Sequence, residues 1–130
     1  MNTPFVILSA ELPDLNEVAN LRRSEKLAHV LTVERFSFMP IILREDESSA
    51  RAYLVFLPAD DLDPKCCRLL ELAANYGQPA ILFADSAHRV VSIDADGFEV
   101  DIGTWQPCIG PDLPANYIVL PNGSAYEVRP

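Results

Sequence analysis

Basic residues are scarce in this chain: ten Lys and Arg stand against nineteen Asp and Glu, a formal net charge of −9 over 130 residues. That field repels phosphate backbones and anionic lipid, so direct nucleic-acid binding through a broad basic face is not expected. The five glycines are scattered and too few to cradle a nucleotide phosphate. Histidine occurs twice and cysteine three times, with no Cys-x-x-Cys pair, so sequence neighbours assemble no zinc spacing, and neither metal nor cofactor is expected. The cysteine count is odd, and a disulfide between adjacent Cys66 and Cys67 would be strained, which fits a reducing compartment, the cytoplasm. No apolar run approaches the roughly 20 residues of a membrane helix, and Met1-Asn2-Thr3-Pro4 lacks the basic start of a secretion signal. A soluble intracellular protein is the expectation. Nucleophile-elbow and metalloprotease-helix patterns are missing too, which weighs against hydrolytic chemistry.

What is present suits one globular domain over residues 1–130: 49% of residues are hydrophobic and 22% charged. Pro4 to Ala10 is an unbroken apolar run of β-formers, the pattern of a strand covered on both faces. Asp14 can cap a helix running to about Thr32, with Glu17 at its third position. On a helical wheel Leu15, Val18, Ala19, Leu27 and Val30 form its apolar stripe, into which Arg22 and Lys26 intrude. Arg35–Arg44 and Ala50–Pro58 read as two antiparallel strands joined by a polar turn. Asp63-Pro64 opens a second helix and Gly77 closes it, with Leu62, Cys66, Leu69, Ala73 and Tyr76 along one face.

Pro79–Ala84 reads as another buried strand. Asp96-Gly97 then predicts a two-residue hairpin turn, setting Ala95 opposite Phe98, Asp94 opposite Glu99 and Ser92 opposite Asp101. Thr104–Asn116, with three prolines, reads as a connection, and Asn122-Gly123 as the turn of a last hairpin. The order strand, helix, strand, strand, helix, strand implies an α+β two-layer sandwich: a ferredoxin-like βαββαβ core over about residues 4–85, with two additional C-terminal β-hairpins at about 88–103 and 117–128.

Phe5-Val6-Ile7-Leu8-Ser9-Ala10, Asn20-Leu21-Arg22-Arg23 ahead of Leu27, Phe38-Met39-Pro40-Ile41-Ile42, Tyr53-Leu54-Val55 and Ala74-Asn75-Tyr76-Gly77-Gln78-Pro79-Ala80-Ile81 follow one another over residues 5–93. Their order resembles a bacterial and phage family of unknown function, whose members carry an opening strand ending in Thr-Ala, a helix with Asn and Arg, and Gly-Gln before a late strand. The chain departs from that pattern twice: Glu11-Leu12-Pro13 stands in place of Asn-Pro, and Arg51-Ala52 in place of an acidic residue. The resemblance implies a phage or mobile-element setting and supports the fold. It brings no activity.

Three constellations carry candidate chemistry. Asn20, Arg22, Arg23 and Lys26 form an electropositive spot for an anion or acidic partner group, unless the cations merely extend their stems over the sheet edge to water. Asp94, Glu99 and Asp101 form an acidic hairpin face for a basic partner or, lined up like phosphates, for nucleic-acid mimicry; a straight hairpin offers too few oxygens for calcium. Asp85, Ser86 and His88, or His88 with Cys67 or Cys108, have the residue types of a small hydrolase. Trp105 is the aromatic best placed to anchor a partner, or else covers the open end of the core. Together these favour a small acidic protein-binding or regulatory module that acts by contact rather than catalysis.

Overall fold

A computed structural model describes residues 3–58, 60, 62–110 and 113–130. β1 (Phe5–Leu8) leads into α1 (Glu17–Val33), followed by β2 (Ser37–Glu45), β3 (Ser48–Phe56), α2 (Leu62–Asn75) and β4 (Ala80–Ala84). Then come β5 (Arg89–Asp94), β6 (Glu99–Pro107), β7 (Asn116–Val119) and β8 (Ala125–Arg129). The element order is the expected one, but the architecture is not. Instead of an open sheet under two helices, the strands close into an antiparallel barrel in the order β1-β3-β2-β7-β8-β6-β5-β4. The ferredoxin-like two-layer sandwich is therefore wrong, and the protein is mostly strand.

The cause of closure lies in β6. Thr104–Pro107, expected within a connection, continue this strand and pair with Arg129–Tyr126 of β8, while β7 pairs with β2 from Ile42 to Glu45. The two late hairpins are thus joined to each other and to both sides of the first four strands. A closed sheet leaves no row of unpaired backbone groups. β6 changes partner at Gly103, whose φ is +133° and whose missing Cβ would lie 2.1 Å from the Arg129 carbonyl oxygen. Only a residue without a side chain lets the strands approach this closely.

Strand alternation sorts the apolar residues into two cores. Val6, Leu8, Val55 and Ile81 pack outward against Leu27 and Leu31 of α1 and Leu69, Leu72 and Ala73 of α2. Phe5, Ile7, Ile41, Leu54, Val90 and Trp105 fill the barrel interior. β1 is buried on both faces, which is why its sequence is apolar without alternation. Each fully buried aliphatic side chain here contributes about 1.5 to 3 kcal/mol. Among the described residues, no helix is long and apolar enough to cross a membrane.

Two local details also depart from expectation. α1 is capped by Asn16 rather than Asp14, its Oδ1 accepting the Ala19 N–H at 2.8 Å. Its buried side is Asn20, Ser24, Leu27 and Leu31, so the helix is rotated relative to the predicted stripe. The β5–β6 turn has three residues, not two: the Asp94 N–H donates to the Phe98 carbonyl and the Gly97 N–H to the Asp94 carbonyl. The Asp94 side chain stabilises this wider turn by accepting the Asp96 and Phe98 N–H groups, both at 2.9 Å. Ile93 then faces Glu99 and Ser92 faces Val100, one residue out of the predicted register, and a bulge after Val90 restores the phase. The slip leaves Phe98 69% exposed.

The helices are tied at one end by Arg68 of α2, which grips Glu34, the C-cap of α1, through Nε–Oε1 at 2.8 Å and Nη2–Oε2 at 2.6 Å. The guanidinium hydrogen bond holds the Glu34 carboxyl below its ordinary pKa. A carboxylate with a lowered folded-state pKa stabilises the fold above its unfolded value and loses that contribution as pH falls through the folded one. Glu34→Gln should therefore cost about 0.5 to 1 kcal/mol at pH 7, a partly exposed pair being well screened. That difference should begin to shrink as pH drops below about 4.5 and vanish once the lowered folded-state value is passed, in urea-unfolding titrations. In the same assay Gly103→Ala should destabilise by about 3 kcal/mol or more, since a Cβ would collide with backbone. Gly97→Ala, with φ +85° but open space around it, should cost only about 1 kcal/mol.

Candidate functional site

The buried side of α1 explains two of the four residues of the predicted electropositive spot. Asn20 brackets the segment between β1 and α1: its Oδ1 accepts the Leu12 N–H and its Nδ2 donates to the Leu12 carbonyl, both at 2.9 Å. Arg23 donates from Nε to the Ala10 carbonyl at 2.6 Å and from Nη2 to the Tyr76 carbonyl, with its guanidinium 5.4 Å from the Tyr76 ring centre. Gln78 Nε2 reaches the Glu11 carbonyl at 2.8 Å. Glu11 itself, nearly buried, pairs with Arg51 at 2.7 Å, and Arg51 also pairs with exposed Glu17. These side chains hold one irregular segment over the helix start, where buried carbonyls would otherwise lack donors. Asn20 and Arg23 are thus taken up in holding the fold.

Arg22 and Lys26 turn outward instead. With Glu25 and His29 they line a shallow depression of about 340 Å³ on α1. The predicted intrusion of cations into a core stripe is therefore inverted: α1 buries polar Asn20 and Ser24 and exposes apolar Val18 (58%) and Leu21 (40%) beside Arg22 and Lys26. Leu15 lies exposed at the head of the same surface.

The acidic hairpin face does not form. The slipped register puts Asp94 and Glu99 on opposite faces, because neighbouring residues of a strand alternate and Glu99 faces Ile93 rather than Asp94. Asp94 caps its own turn, and Asp101 pairs with Arg89, whose guanidinium holds the Asp101 carboxyl below its usual pKa. A phosphate-like row of carboxylates is not built there. Among the described residues, no three His, Cys, Asp or Glu side chains converge in a way that could hold a metal ion.

Asp85 Oδ1 accepts the Ala87 and Arg89 N–H groups at 2.8 and 3.0 Å, so this carboxylate shapes the β4–β5 turn. Ser86 points to solvent at that turn. His88 adopts the left-handed conformation, φ +67°, and its carbonyl accepts the Trp105 N–H at 2.8 Å. Trp105, the candidate exposed anchor, is 8% exposed and lies inside the barrel. The described lining of the cavity that His88 borders includes neither serine nor cysteine.

No protein-family model matches the chain and no curated protein matches it. Sequence reasoning missed Glu11, Arg51 and Gln78. The Gly77-Gln78 pair was visible, but its partner was not, because it is a carbonyl of a distant segment.

Cysteine reactivity tests the arrangement on α2. Burial pushes the Cys66 thiol up to about 11, while Cys67 is exposed. Since the thiolate is the nucleophile, native protein should be alkylated by iodoacetamide first at Cys67 and slowest at Cys66, as read by peptide mass mapping. Equal rates would mean that Cys66 does not pack beneath the helix.

Proposed function

We propose that this chain is a small cytoplasmic binding module that acts by contact, and that the outward face of α1 is its contact surface. The observation that carries this reading is the first half of α1, where Val18 and Leu21 are exposed while Asn20 and Ser24 are buried, the inward Leu27 and Leu31 lying further along the helix. A helix that merely covered a core would place its apolar residues inward. Exposed apolar side chains rimmed by charge are the composition of protein-contact sites. Arg22 and Lys26 set two cations against the single carboxylate of Glu25, on a protein whose net charge is −9. The partner that fits is a protein surface carrying aliphatic side chains flanked by carboxylates. The free thiols of Cys66, Cys67 and Cys108 support a reducing compartment.

The test is photo-crosslinking from a reactive residue placed at position 18, with position 98 on the far hairpin as control, in extract of the native host. Arg22→Glu with Lys26→Glu, and separately Leu15→Asp with Leu21→Asp, should leave thermal stability nearly unchanged, because all four side chains are exposed. Both pairs should abolish the position-18 product. Raising salt toward 1 M, where the Debye length shrinks to about 3 Å, should weaken it. A product that survives both pairs of substitutions would refute this surface.

A further inference from the structure

The barrel interior is filled with side chains, yet the filling stops short of one end. Where β1 begins and β3 ends, a cavity of about 410 Å³ opens among Phe5, Phe56, Trp105, Leu120 and Tyr126, with His88 at its border. The rings of its wall are ordered. Phe5 meets Trp105 edge-on, with centroids 5.0 Å apart and planes at 72°, and Trp105 stacks on Tyr126 at 4.9 Å and 10°. The rest of the axis is occupied by buried Ile7, Ile41, Ala52 and Val90, so the cavity is blind.

We propose that this mouth binds a small, uncharged, planar aromatic molecule carrying one hydrogen-bonding substituent. The volume lies at the lower end of the roughly 300 to 1,000 Å³ of small-molecule sites, which occur in barrel mouths. Aromatic walls favour a flat ring, which gains offset-stacked or edge contacts beyond simple area burial. The blind depth excludes an acyl chain, which would need a channel along the axis. The described lining carries no Asp, Glu, Lys or Arg, so an ionic ligand would lose its hydration without gaining a counter-charge. The polar side chains of its described lining are Thr3, His88 and Tyr126, and the two hydroxyls are enough to orient one substituent. The left-handed backbone of His88, uncommon outside glycine, brings its carbonyl to the Trp105 N–H and thereby couples the turn to the aromatic wall. This site is independent of the contact surface on α1, which packs against the outside of the barrel.

Trp105 is the only tryptophan, so ¹⁵N-labelled protein has a single indole N–H resonance, and that resonance reports on the cavity. The probes are benzimidazole and 2-naphthol; the comparators are cyclohexanol, which is not planar, and octanoate, which is a charged chain. Both probes should shift the resonance saturably, with dissociation constants at or below about 1 mM, and the comparators should not. Leu120→Phe, which adds bulk inside the cavity, should weaken the probes about tenfold or more. His88→Gly, which keeps the left-handed turn while removing the imidazole, should weaken them while leaving the amide spectrum of the barrel in place. No saturable shift from either probe would overturn the proposal. So would equal binding of cyclohexanol or octanoate, or probe binding unaffected by both substitutions.

Discussion

The close approach of β6 to β8 at Gly103 is the constraint on which the barrel depends. Up to that residue β6 pairs with β5 alone, and from Thr104 onward it pairs with β8 of the last hairpin as well. A side chain there would separate the two by the width of a methyl group, and the sheet would remain a curved strip with exposed rims at β6 and β8. Everything inside the barrel follows from that contact. Trp105, two residues further on, is carried inward against Phe5 and Tyr126 rather than left on a loop.

The elements were legible because local signals encode them: the double-faced apolar run of β1, Asp63-Pro64 in the first turn of α2, and Asn122-Gly123 between β7 and β8. Closure was not legible, because it depends on pairing between segments distant in sequence, and the prolines around Trp105 imitate a connection. Two errors of phase had a single kind of cause, a side chain bonding to nearby backbone. Asp94 accepts two N–H groups and widens its turn by one residue, which moves Glu99 to the other face. Asn16 takes the cap from Asp14, and Asn20 and Ser24 occupy the inward side of α1. A hydrophobic wheel cannot anticipate a polar residue buried because a loop needs its hydrogen bonds.

The candidate sites fared differently for related reasons. Arg22 and Lys26 were conspicuous because they interrupt a stripe, and they remain available at the surface, although the stripe itself lies elsewhere. Asn20, Arg23, Asp94 and Asp101 have the residue types of a site but are engaged in holding segments, turns and strands. Trp105 stood out as the lone tryptophan, and its burial turns it from a projecting anchor into a wall.

Closure also imposes an order in time. The four tight hairpins, β2–β3, β4–β5, β5–β6 and β7–β8, join neighbouring segments and form on the microsecond scale of such elements, whereas the seams β1–β3, β1–β4 and β2–β7 bring together residues separated by much of the chain. Loop-closure entropy opposes those seams until the apolar interior rewards them, which places a barrel of this kind among slow-folding topologies. Until the ring shuts, β6 and β8 present bare backbone to any neighbouring molecule. A chain of net charge −9 repels copies of itself during that interval, so the acidity that does not form a working face on the first hairpin protects the unclosed sheet from joining to another.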